Sequence, residues 1–285
     1  MVACLLVVGT TAGTIAGKPA AIVPQPIAVP TANRSNSPTP LKGFLFLPAA
    51  AGTHPAVVMM HGCGGAYNAQ GSLGKRHRMW GEYLAGHGYV ALMLDSFTSR
   101  GIAELCTTKF ADRTLKESDR AGDAYAALAS LRQRGDVDSK RIALLGWSHG
   151  AGVTLDAITH KPRDGEGFRA AVAFYPGCTS RNARGDDFHP YAPLLILIGE
   201  ADDWTPAAPC KQLAAAVAAR GEPMRIVTYP DTYHDFDNPG IKSKHVRKEV
   251  PNGVHPGQGV TTAPNPQARE DALKRVLGFF GETLR

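Results

Sequence analysis

The sequence predicts an α/β fold in which a mostly parallel sheet is flanked by helices, and three observations carry that prediction. Short apolar runs at 55–60, 141–145 and 193–199 lack the alternation of a half-exposed strand, as parallel strands buried on both faces do. Ala- and Leu-rich segments at 119–134, 210–220 and 267–284 are interleaved with them, so strand and helix alternate along the chain. Third, Gly146-Trp147-Ser148-His149-Gly150 follows one apolar run and precedes the small residues Ala151-Gly152-Val153, which can open a helix. Strand, tight turn and helix therefore succeed one another within a few residues.

The elements can be justified in chain order. Residues 1–17 are mainly Leu, Val, Ala, Gly and Thr, too short for a comfortable membrane span, and Thr14-Ile15-Ala16 resembles a small-residue cleavage site. They read as a signal peptide. Between 18 and 40, Pro19, Pro24, Pro26, Pro30, Pro38 and Pro40 interrupt regular structure, which predicts a linker or an extended arm. From 41 to 285 the alternation runs unbroken, and 44% hydrophobic residues are enough for the core of one domain. Strands are expected at 55–60, 89–94, 141–145, 170–175, 193–199 and 224–229. The segment 119–134 has polar residues at helical spacing and ends at Gly135, while Leu273, Val276, Leu277 and Phe280 share one face of 267–284. Between 239 and 266 lies a long Pro/Gly-rich stretch with Lys242, Lys244, Arg247 and Lys248, either a cover for a site near His234 or a solvated loop.

The G-x-S-x-G turn points to chemistry. A serine exposed at such a turn needs a strained backbone, and the residues two before and two after it must be nearly free of side chain. Gly146 and Gly150 meet that demand. A nucleophilic serine also needs a base to take its proton and a carboxylate to hold the base in the right tautomer. Asp202 and Asp203 lie just past the strand at 193–199, and His234 lies just past the strand at 224–229. Asp202, the first Asp beyond the strand, is preferred as the acid; either Asp could instead cap the helix that follows. The strand at 55–60 ends in His61-Gly62-Cys63-Gly64-Gly65, whose backbone can turn amides toward a substrate oxygen. The Cys63 amide, with Gly64 next, and the His149 amide are the candidate oxyanion donors. Trp147, beside the serine, is a candidate substrate contact.

Taken together, the HGCGG loop, Leu94-Asp95-Ser96-Phe97-Thr98-Ser99-Arg100-Gly101, the GWSHG turn, GEADDWTP and YHDFDNPG resemble the dienelactone hydrolase family of α/β-hydrolases. The resemblance implies an α/β-hydrolase fold with an eight-stranded, mostly parallel sheet, a Ser148–His234–Asp202 triad, and cofactor-free hydrolysis of ester or lactone bonds. The founding members carry cysteine where this chain has Ser148, the nucleophile of general esterases. They also hold an anionic lactone with arginines; Arg100 occupies one such position, and no arginine follows His234 closely. A prolyl-oligopeptidase-like peptidase shares the order of the triad, and a non-catalytic binding protein could share the fold.

If Cys4 leaves with the signal, Cys63, Cys106, Cys178 and Cys210 remain, with three possible pairings. The family topology implies 63 with 106 and 178 with 210, since each pair follows neighbouring strands. Disulfides accord with a periplasmic or secreted protein. No CxxC, HExxH or clustered Cys/His spacing suggests a metal. The net charge of +6 is spread along the chain without the basic and aromatic array that suits nucleic acid. The expected partner is a small ester or lactone, without stable membrane association once the signal is removed.

Overall fold

The computed structural model describes residues 21–31, 39–160, 167–183 and 187–285. The expected signal peptide lies outside the described residues. Apolar runs become the strands β1 (Gln25–Val29), β2 (Leu41–Phe46), β3 (His54–Met60), β4 (Val90–Asp95), β5 (Val137–Trp147), β6 (Ala170–Phe174), β7 (Leu194–Gly199) and β8 (Met224–Tyr229). They form one eight-stranded sheet in the order β1-β2-β4-β3-β5-β6-β7-β8. Strands β3 to β8 are parallel throughout, while β1 and β2 enter antiparallel at one edge. Val58, Leu144, Val172 and Ile196, at the centres of four successive strands, are fully buried. Helices on both faces produce that burial, which is why those runs show no alternation.

The helices are α1 (Lys75–Gly86), α2 (Glu117–Arg132), α3 (His149–Thr159), α4 (Thr179–Ala183), α5 (Ala207–Ala219) and α6 (Pro266–Thr283). Helix α6 starts as its sequence suggests: the Asn265 side chain accepts from the Ala268 amide, and Pro266 occupies the first turn, where its missing N–H costs nothing. Two segments are more regular than the sequence indicated. Part of the Pro-rich arm becomes edge strand β1, where a proline's missing donor is tolerated. Within 239–266, β9 (His245–Arg247) and β10 (Val260–Thr262) form a two-stranded sheet. Val250 and Val260 from this segment pack with Trp204, Phe97, Leu105 and the Cys63–Cys106 bridge in a second small core.

Both disulfides form as the resemblance implied, Cys63 with Cys106 and Cys178 with Cys210. Each joins loops that follow adjacent strands, β3 with β4 and β6 with β7. They brace the carboxyl edge of the sheet, where ligand sites of open α/β sheets lie.

The turn from β5 into α3 is packed without slack. Ser148 has φ 52° and ψ −116°, outside the regions an L residue prefers. A Cβ on Gly150 would stand 2.1 Å from the Met60 carbonyl oxygen, and one on Gly146 would stand 2.1 Å from the Gly150 carbonyl oxygen. Helix α3 thus rests directly on the backbone of β3. Gly150→Ala should destabilise the protein by about 3 kcal/mol or more, because the obstacle is backbone and not a side chain that can swing away. Urea unfolding measures this; an unchanged midpoint would mean that the contact is not as close as described.

Candidate active site

Three side chains from separate strand ends meet beside this turn. Ser148 Oγ lies 3.0 Å from His234 Nε2, and His234 Nδ1 lies 2.8 Å from Asp202 Oδ2. The carboxylate fixes the tautomer: Nδ1–H donates to Asp202, leaving the Nε2 lone pair to accept from the serine hydroxyl. Asp202 is itself held, since its Oδ1 accepts from the Trp204 and Thr205 amides at 2.9 and 2.8 Å. The His234 ring sits between Trp204 and Tyr175, with centroids at 4.6 and 4.4 Å. All three residues are buried, and Ser148 and His234 line a cavity.

Asp203 has a different job. Its carboxylate accepts from the Thr261 amide and hydroxyl, both at 2.7 Å, and its carbonyl accepts from the Val254 amide. It therefore ties the 239–266 segment down beside the serine. Asn252 adds a second tie, donating to Thr108 O and accepting from the Phe110 amide.

The loop after β3 approaches the serine closely. Register places Met60 opposite Gly146, so residues 61–65 emerge next to the β5–α3 turn. A Cβ on Gly62 would meet the Trp147 carbonyl oxygen at 3.3 Å and Ser148 Cβ at 3.5 Å. Cys63 is anchored by its disulfide and by the Leu105 amide, which donates to Cys63 O at 2.8 Å. The His149 amide stands at the start of α3, where backbone N–H groups lack helical acceptors and the helix dipole is positive.

The cavity over Ser148 has a volume of about 350 Å³, and its wall includes Gly62, Cys63, Tyr67, Arg76, Trp204 and Arg247. Arg76 is committed to Asp235 and to the Tyr175 hydroxyl. Burial pushes the Asp235 carboxyl up, but the charge and hydrogen bond of Arg76, together with the other cationic neighbours, outweigh it and the net direction is down. Arg247 lies over the Trp204 ring and pairs with Glu249. Beneath the cavity Asp237 accepts from the Trp80 and Trp147 indoles and from Tyr175 Oη, at 2.8, 2.9 and 2.6 Å. Burial raises its carboxyl above the usual range.

Two expected substrate contacts are corrected. Arg100 donates to Asp123 at 2.8 and 2.9 Å and to Ser96 O at 2.6 Å, and it does not line the cavity. A buried carboxylate on α2 has captured it. Trp147 is fully buried and turned to Asp237 and Trp80, because a side chain at the last strand position points into the core while the serine turns out. Sequence reasoning missed Arg76 in the cavity wall and Tyr175 against the His234 ring, and it marked Arg247 only as one of the basic residues of a possible cover. For Arg76 the only signal was the basic pair Lys75-Arg76, and helix α1 was not expected there.

A family model for the dienelactone hydrolase family matches residues 41–284. The chain belongs to that family. Among relatives of this dienelactone hydrolase family member, a Mycobacterium tuberculosis protein is 28% identical over 212 residues, covering 68% of each chain. Cutinase 2 of Thermobifida cellulosilytica is 27% identical over 140 residues, 49% of this chain and 46% of the cutinase. Esterase 2 of Thermogutta terrifontis, solved with a phosphorus adduct from tabun, superposes with a TM-score of 0.63 at 20% identity, covering 93% of this chain and 96% of that one. A Klebsiella pneumoniae protein provisionally named a dienelactone hydrolase has a TM-score of 0.70 at 19% identity, covering 92% and 99%. These structural likenesses establish the fold.

Three buried histidines around the site must stay neutral. Burial, helped by the Arg76 charge, lowers His77 to about 3, and burial followed by the Arg120 charge lowers His61 and His149 well below the usual value. Below about pH 6.5 the unfolded chain binds protons at these sites that the folded chain refuses, so stability falls with falling pH. Each histidine contributes a slope of up to about 1.4 kcal/mol per pH unit in that window. Urea unfolding between pH 7 and pH 5 should show the decline, and His77→Gln should make it shallower. A flat profile would contradict neutral burial.

Proposed function

We propose that this protein is a serine carboxylic ester hydrolase that also accepts lactones and works through an acyl-enzyme intermediate. The observation that carries the reading is the continuous line from Asp202 through His234 to Ser148, ending in a cavity whose wall includes Gly62 and Cys63. His234 takes the Ser148 proton as Oγ attacks the ester carbonyl, and Asp202 stabilises the imidazolium that forms. Negative charge then develops on the carbonyl oxygen. We assign the Cys63 and His149 amides to receive it, each such donor supplying on the order of 3 kcal/mol. Collapse of the intermediate expels the alcohol, which takes the proton from His234. Water, deprotonated in turn by His234, attacks the acyl-serine and releases the acid.

Every step uses a group of the chain itself. Family membership supports hydrolysis of this type, and so do relatives named as cutinases. With Arg100 bound to Asp123, and with Arg76 and Arg247 already paired, the cavity is suited to small esters without a strict demand for a carboxylate. Two disulfides favour an oxidising compartment, so we place the mature protein in the periplasm or the medium.

The test is hydrolysis of p-nitrophenyl butyrate by single variants. Ser148→Ala and His234→Ala should each lower kcat by about 10⁴-fold or more, and the double variant should be scarcely worse, because the residues act as a unit. Asp202→Asn should follow at a smaller loss, with Asp203→Asn milder because that carboxylate faces Thr261. Wild-type turnover by Ser148→Ala would overturn the reading.

A further inference from the structure

Behind the two amides lies a charged group that the mechanism above does not use. Arg120, on α2, is fully buried. Its Nη1 donates to His149 Nδ1 at 2.7 Å, and its Nη2 donates to the His61 carbonyl at 2.9 Å. The guanidinium carbon lies 4.9 Å from the Phe97 ring centroid, and the His61 ring packs edge-on against the same phenyl ring at 4.4 Å. We propose that Arg120 is a positioning residue for the oxyanion hole, its guanidinium fastening the loop after β3 to the start of α3 so that the Cys63 and His149 amides converge on one point. The proposal rests on the serine hydrolase reading given above.

The geometry follows one covalent path on each side. His149 carries one of the two amides, and its ring is pinned by Nη1. On the other side Arg120 holds the His61 carbonyl, and His61 in turn fixes the next peptide. Its Nε2 accepts from the Ser96 amide at 3.2 Å, which leaves Nδ1–H to donate to the Gly62 carbonyl at 2.8 Å. In a planar trans peptide the C=O and N–H point in opposite directions. Holding the Gly62 carbonyl toward His61 therefore sends the Cys63 N–H, in the same peptide, the other way. A buried guanidinium suits this task because its planar fork presents two donors at a fixed angle, which an ammonium does not.

The cost of placing it there is visible. Arg120 Nε has no hydrogen-bond partner among the described residues, and the groups its Nη atoms approach, the His149 ring, the His61 carbonyl and, at 3.4 Å, His61 Nδ1, are all neutral. Burial lowers its pKa to about 10, so it remains a cation at neutral pH, while both histidines are held neutral. Such a desolvated cation adds little to stability. Arg181, whose Nε is likewise without a partner among the described residues, offers the contrast in the charge of its partners. It too is buried between α2 and α3, yet it is paired with the Glu117 and Asp156 carboxylates and with the carbonyls of Gly152 and Gly177, away from the cavity.

The test compares Arg120→Met, Arg120→Lys and Arg181→Met in purified full-length protein. With p-nitrophenyl butyrate, Arg120→Met should lose about 10- to 100-fold in kcat with KM changed less than about threefold, the scale of one weakened oxyanion donor. Arg181→Met, which also breaks a buried contact between the same helices, should keep wild-type kcat. A second readout separates positioning from general loosening: the ratio of kcat/KM for an ester to that for the matching thionoester. A thiocarbonyl sulfur accepts hydrogen bonds poorly, so a misplaced hole should bring this ratio down about tenfold in Arg120→Met and leave it unchanged in Arg181→Met. Should Arg120→Met not fold, Arg120→Lys decides, since it keeps the charge but cannot span both acceptors; lowered kcat with unchanged KM supports the proposal. Wild-type kcat in Arg120→Lys, or an unchanged thionoester ratio in folded Arg120→Met, overturns it. Failure of the underlying reading looks different, with wild-type protein inactive on every ester or Ser148→Ala fully active.

Discussion

The backbone of Ser148 is the constraint on which the rest of the site depends. An L residue at φ 52° is strained, and it stays there only because its neighbours leave no alternative. Gly150 sits against the β3 carbonyl at Met60, and Gly146 sits against the Gly150 carbonyl. Strand β5, central in the sheet, supplies the rigid platform. The same crowding throws the Ser148 side chain out into the cavity and turns Trp147 into the core. It also brings the first amide of α3 next to the loop that follows β3. One local conformation thereby sets the direction of the hydroxyl and the position of one of the two amides.

Around that turn the protein separates its charges by layer. Arg76 and Asp235 in the cavity wall form a buried network with Tyr175 and Asp237, which also fixes the Trp80 and Trp147 indoles. Behind the loop after β3 stands Arg120, with neutral partners. Three histidines placed among these groups are driven neutral, while His234, the fourth, has a carboxylate of its own. The difference is chemical. His234 faces the Asp202 carboxylate, whereas His61, His77 and His149 are set beside arginines. Disulfides and the Asp203–Thr261 contacts then fasten the outer loops over this arrangement.

Much of this could be read from the chain, and the limits have physical causes. Parallel strands were legible because burial on both faces leaves uninterrupted apolar runs, as in 193–199. That Ser148, Asp202 and His234 would meet was legible because each lies just past such a run. Sequence favoured Asp202 over Asp203 only by its position after the strand; the direction of each side chain, Asp202 toward His234 and Asp203 toward Thr261, is what separates them in space. Arg100 misled because position along the chain does not say which carboxylate lies nearest, and Asp123 is a helix away in sequence but in contact in space. Edge strand β1 was hidden by its prolines, which mark an arm and an edge strand alike. Arg120 gave no signal at all, as an arginine in an amphipathic helix usually faces solvent.

The central claim is that Ser148 is a nucleophile activated by the folded site. Incubation with a fluorophosphonate, followed by intact-mass measurement and peptide mapping, tests it most directly. One adduct per chain, located on the peptide containing Ser148 and absent when the protein is unfolded before exposure, is the predicted result. A folded protein that stays unlabelled, or a single adduct on a residue other than Ser148, would contradict the account.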